Sequence, residues 1–144
     1  MPSGRCVTSV TGSSLVVSLV LDASAAVDLT LGHPGLAGRL LGEELHVPVH
    51  FDVEVVSAFH SLLLRGAVGH DSLADARARM RRLVVVRHLA TVLVERAWEL
   101  RERITIQDGV YVALAEGLDC PLVTTDSRLA ATAADLVRIV GPDS

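Results

Sequence analysis

Four acidic residues have neighbours that give a carboxylate something to act on. Asp22 directly follows the apolar run Leu15–Leu21, and Asp126 follows Leu122-Val123-Thr124-Thr125. Glu54 lies in a helical stretch between Val53, Val55 and Val56. Asp108 opens a second one, followed by Gly109-Val110-Tyr111-Val112-Ala113-Leu114-Ala115. Each has a plain structural role available: an acid after a strand caps the next helix, and an acid in a first turn complements the helix dipole. Glu54 alone reads as a half-exposed helix residue. Together they say more. Two like charges 4 Å apart repel by about 4 kcal/mol at an effective dielectric of 20. Four carboxylates in one place must take up protons or bind a cation. An all-oxygen acidic site that keeps waters suits Mg²⁺ or Mn²⁺ better than zinc. Such an ion lowers the pKa of a bound water and stabilises charge on a phosphoryl group. The chemistry indicated is metal-dependent hydrolysis of phosphate esters.

These acids need a scaffold that gathers them. Leu15–Leu21 is apolar without alternation, as expected of a strand covered on both faces. Leu45–Val49, Leu83–Val86, Pro121–Thr124 and Leu136–Val140 are further strand candidates. Between them, Ala25–Leu31, Leu36–Glu44, Phe51–Arg65, a stretch capped by Asp71 or Ser72 and running to Arg82, Thr91–Glu102, Gln107–Glu116 and Ser127–Asp135 read as helices. Gly66 and Gly117 are the expected helix stops. Strands alternating with helices predict an α/β fold with a mostly parallel sheet, whose sites form beyond the carboxyl ends of the strands. Residues 1–14, small and polar, read as a loose extension to a single domain spanning 1–144.

Composition narrows the function. The chain has 144 residues, 50% hydrophobic and 21% charged, which excludes a disordered chain and a disulfide-dense miniprotein. Aromatic residues make up 3%, too few for a base-stacking surface. All 13 basic residues are arginine, so Walker-A nucleotide binding and Schiff-base chemistry are excluded. A net charge of −4 argues against coating nucleic acid by charge, though not against a nuclease. Cys6 and Cys120 form no metal-binding spacing and suit a reducing compartment. No apolar run is long enough to span a membrane. Ala23-Ser24-Ala25 imitates a signal-cleavage site, but Asp22 interrupts the segment before it.

Four stretches, in this order and spacing, resemble a PIN domain, and more closely a VapC-type toxin of a bacterial toxin–antitoxin pair. They are Val20-Leu21-Asp22-Ala23-Ser24-Ala25, Val47-Pro48 through Glu54 to Ala58, Gln107 through Ala115, and Leu122-Val123-Thr124-Thr125-Asp126-Ser127-Arg128-Leu129. The resemblance implies a three-layer α/β/α fold and an acidic pocket holding Mg²⁺ or Mn²⁺. It also implies endoribonuclease activity in the cytoplasm. By position, Asp22, Glu54, Asp108 and Asp126 would be the metal ligands and the catalytic, water-activating set. Ser24 and Thr124 would be hydroxyls that orient the ligands or touch phosphate. In-line attack of water would leave 5′-phosphate and 3′-hydroxyl ends. A cognate VapB-type antitoxin, an RNA substrate and a homodimer are further implications, with Phe51–Arg65 one surface available to the dimer. Gly109 departs from the family's usual alanine.

Arginine must supply any contact with RNA, and Arg77, Arg79, Arg81 and Arg82 crowd one helix. Since they share no narrow stripe, a solvated face is the alternative. Other acid-bearing α/β classes fit less well. A receiver domain needs an acidic pair after its first strand and a late lysine. A haloacid-dehalogenase-type phosphatase needs a second acid where Ser24 stands. The spacing Gly32, Gly35, Gly38 is wrong for dinucleotides, and His46 and His50 flank Pro48 without an HExxH motif. The six histidines read as surface or structural. The competing function is a PIN-like module that binds RNA or protein without hydrolysis.

Overall fold

The computed structural model describes residues 7–11 and 14–143. Five parallel strands form its sheet: β2 (Ser14–Leu21), β3 (Glu44–Pro48), β4 (Val85–His88), β5 (Leu122–Val123) and β6 (Ile139–Val140). Their order is β4-β3-β2-β5-β6. The chain therefore builds outward from β2 to one edge, returns, and builds from β5 to the other. Strand order reverses between β2 and β5, where open α/β sheets place their sites. The register there sets Val20 beside Leu122 and Leu21 beside Val123, and the Asp22 amide donates to the Val123 carbonyl at 2.9 Å. Val20, Leu21, Leu122 and Val123 are fully buried, which explains why these strands are apolar without alternation.

The helices are α1 (Ala23–Thr30), α2 (Ala37–Leu40), α3 (Phe51–Leu64), α4 (His70–Arg82), α5 (Val94–Glu99), α6 (Ile106–Leu118) and α7 (Ser127–Ala133). Packing of α1 with α3 and α4, and of α5 with α6, covers the sheet in the three-layer arrangement. α3 follows β3 directly and ends before Gly66, whose φ of +66° suits glycine. Among the described residues, no helix is long and apolar enough to cross a membrane.

Several boundaries differ from expectation. Val7–Thr11, read from sequence as part of a loose extension, forms strand β1, antiparallel to the first half of β2. The parallel sheet engages β2 only from Ser18 onward, which leaves its first half to pair with β1. The rest of that extension, residues 1–6 and 12–13, lies outside the described residues. The expected strand at Leu83–Val86 falls two residues later. α6 runs through Gly117 and ends at Asp119, which takes the left-handed conformation (φ 51°). Neither Asp71 nor Ser72 caps α4, which begins after Gly69.

Gly109 is explained by packing. A Cβ at this position would lie 3.2 Å from both Cα and Cβ of Ala97, so the missing side chain lets α6 approach α5. Gly109→Val is expected to destabilise the protein by about 1–3 kcal/mol through overpacking, read as a lower urea midpoint.

Candidate active site

Asp22 is the most buried of the four acids, 4% exposed, at the carboxyl end of β2. It occupies the N-cap position of α1 but makes no side-chain cap bond. Its Oδ2 accepts from Ser24 Oγ at 2.7 Å and from Thr124 Oγ1 at 2.8 Å. Each hydroxyl also accepts from the backbone: Ser24 Oγ from the Thr125 amide at 3.2 Å, Thr124 Oγ1 from the Asp126 amide at 3.1 Å. The two hydroxyls thus tie the ends of β2 and β5 together and fix one carboxylate oxygen. Burial pushes the Asp22 pKa up; the hydroxyl bonds oppose this, and the nearby Asp126 charge adds to it.

The other three acids come from separate elements. Glu54 lies in the first turn of α3 and Asp108 in the first turn of α6, where the Asp108 amide donates to the N-cap Thr105 hydroxyl at 3.3 Å. Asp126 takes its plain structural role as well as its place in the group: its Oδ1 caps α7 by accepting from the amides of Arg128 and Leu129 at 3.0 and 3.2 Å. Folding links the four through Asp22 and Asp108: the Asp22 charge reaches Glu54 and Asp108, and the Asp126 charge reaches Asp22 and Asp108. Burial, then the charges of Asp22 and Asp108, push Glu54 up to about 7. Burial and the Asp22 charge likewise raise Asp108, with Asp126 contributing and Arg128 opposing.

Two further residues, His50 and Tyr111, join the group. His50 Nε2 stands 2.5 Å from Glu54 Oε1, and the His50 ring meets Tyr111 edge-on with centroids 5.2 Å apart. Despite that proximity, His50 Nε2, Glu54 Oε1 and Tyr111 Oη have no well-aligned hydrogen-bond partner in their buried setting. Spacing carried the signal: His50 precedes Glu54 by four residues and Tyr111 follows Asp108 by three, each pair on one helix face. Burial pushes the His50 pKa down, so its neutral form is favoured.

This donor set suits a hard, hydrated cation. It is rich in carboxylate oxygen and carries negative charge that raises its own pKa values. Among the described residues, no three His, Cys, Asp or Glu side chains are already arranged to hold one metal ion directly. Uncompensated carboxylates repel, and Mg²⁺ needs only one or two of them while keeping several waters. Asp22, Glu54, Asp108 and Asp126 would hold such an ion. Truncating the supports of Asp22, as Ser24→Ala or Thr124→Val, is expected to weaken Mn²⁺ affinity 10–100-fold, measured by calorimetry.

The arginines of α4 lie elsewhere. Arg79 is committed to the Thr30 carbonyl at 2.7 Å. Arg77 and Arg81 line a different groove, with Phe59, Met80 and the ion-paired Asp52 and Arg87. Arg82 is exposed at the end of the helix.

The parallel sheet flanked by helices has counterparts among known proteins. The PIN domain family model matches residues 19–135. The crystal structure of PAE2754 from Pyrobaculum aerophilum superposes with a TM-score of 0.67 at 20% identity, covering 88% of this chain and 85% of that one, a likeness of fold. The chain belongs to the PIN domain family. Within it, the chain stands with the VapC-type ribonuclease toxins. It is 46% identical over 116 residues to Ribonuclease VapC12 of Mycobacterium tuberculosis (78% of this chain, 89% of that protein). It is 40% identical over 114 residues to VapC ribonuclease Mb0985 of Mycobacterium bovis (79% and 90%).

Proposed function

We propose that this chain is a cytoplasmic Mg²⁺- or Mn²⁺-dependent endoribonuclease toxin, active on RNA as a homodimer and silenced by a cognate VapB-type antitoxin. The observation that carries the reading is the gathering of Asp22, Glu54, Asp108 and Asp126, the first three pushed up by burial and by acidic neighbours, with no lysine in the chain to neutralise them. A bound divalent cation supplies charge compensation for a phosphoryl oxygen and lowers the pKa of an attacking water. The chain's own groups do the rest. Ser24 and Thr124 hold Asp22 in a single orientation. Glu54, at about 7, accepts and releases a proton near neutral pH, with His50 beside it as a second proton position. Asp126, fixed as the α7 cap, borders the side open to solvent. An antitoxin that presents a basic side chain would neutralise this pocket. Exposed Val53, Val56 and Leu64 on α3 offer apolar surface for a second copy.

The test is incubation of total cellular RNA with the protein and Mn²⁺, followed by sequencing of the cut ends. Cleavage leaving 5′-phosphates, abolished by EDTA, is expected. In cells, expression of the wild type alone is expected to stop growth, and expression of Glu54→Gln is not. No cleavage above the Asp108→Asn background would favour the silent binding module instead.

A further inference from the structure

We propose that Arg128 is the residue that grips an RNA phosphate next to the scissile one, through a small polar cleft it shares with Asp108 and Asp126. The inference deepens the nuclease reading and rests on it. The cleft, about 50 Å³, is bordered by Thr105, Asp108, Asp126, Arg128, Arg103 and Thr132. At roughly 30 Å³ per water it has room for a water or two, which also suits phosphate oxygens and is too small for a base.

Its two arginines differ. Arg103 is spent inside the molecule: it pairs with Asp135 through both Nη atoms and donates to the Thr132 carbonyl at 2.5 Å. Arg128 is exposed, and among the described residues its guanidinium has neither an ion pair nor a hydrogen bond. Its backbone is nonetheless fixed, because its amide is one of the two held by Asp126 Oδ1. A free cation held against an acidic cluster is placed to bind the phosphate that those acids alone would repel. The alternatives on α4 lack this placement. Arg79 is committed to a carbonyl, and Arg77 and Arg81 open onto a groove that none of the four acids lines.

Two measurements test this. The first follows binding of a short fluorescein-labelled single-stranded RNA as salt is raised, in the cleavage-silent Asp22→Asn background. Adding Arg128→Ala is expected to weaken binding about tenfold and to reduce the log–log salt slope by about 0.7, one phosphate contact's worth on a single strand. The second is steady-state cleavage with Mn²⁺. There Arg128→Ala is expected to raise KM about tenfold with kcat changed less than threefold, and Arg128→Lys is expected to restore most of KM. An unchanged salt slope and KM in Arg128→Ala, with the wild type still cleaving RNA, overturns the role of Arg128 and leaves the nuclease standing. So does a loss of binding on Arg81→Ala that Arg128→Ala does not produce. A wild type that neither binds nor cleaves RNA overturns both.

Discussion

Asp22→Asn is expected to lower Mn²⁺-dependent RNA cleavage by at least about 10³-fold while leaving the fold intact. The two halves of that result have separate causes. An asparagine carbonyl oxygen can still accept from Ser24 and Thr124, so the tie between β2 and β5 survives. The negative charge does not survive, and it is the one felt by both Glu54 and Asp108. Because that charge is buried beside others of its own sign, removing it relieves repulsion in the metal-free protein. The urea midpoint of the metal-free variant at pH 7.5 should therefore equal or exceed that of the wild type. Single-turnover cleavage measures the first effect. Activity within tenfold of wild type would place the reacting centre elsewhere.

The second large effect is on stability against pH. Glu54 is pushed up to about 7 in the folded protein, and Asp22 and Asp108 are raised with it. Unfolded carboxylates ionise near 4. Between those values the folded chain holds more protons than the unfolded chain, so stability falls as pH rises from about 4 to about 7. His50, whose pKa is lowered, acts in the opposite sense and removes stability below its ordinary value near 6.5. Each pKa unit corresponds to 1.36 kcal/mol; allowing for solvent screening at the partly exposed Glu54, its contribution is about 1–2 kcal/mol. Metal-free protein should thus unfold at lower urea at pH 7.5 than at pH 5.5. Glu54→Gln should flatten the profile, and saturating Mn²⁺ should stabilise the protein at pH 7.5 far more than at pH 5.5. A metal-free profile that rises steadily to pH 8 would show that the acids do not repel one another.

The two strand-end acids are legible because an apolar strand has a definite exit, and the rule that parallel sheets build sites at their carboxyl edges does not depend on side-chain detail. Asp22 and Asp126 follow from it directly. Glu54 and Asp108 depend on which way α3 and α6 rotate, and only their apolar neighbours hint at burial. His50 and Tyr111 were legible in principle from helical spacing. Spacing alone does not single them out, because a histidine before an apolar helix and a tyrosine inside one have ordinary structural roles. In the arginine-rich α4, density of charge along the sequence does not reveal which guanidinium is already committed, as Arg79 is to the Thr30 carbonyl. Ends of elements were lost where one residue overrode a general preference. Gly117 stays helical because Asp119 takes the left-handed turn in its place.

Manganese binding followed by the loss of the free-ion paramagnetic resonance signal reads the gathered carboxylates without any assumption about substrate. At pH 7.5 the wild type should bind Mn²⁺, and both Asp22→Asn and Asp108→Asn should bind it at least tenfold more weakly. Equal affinity in all three proteins, or none in the wild type, would contradict the assignment of these acids as a divalent-cation site.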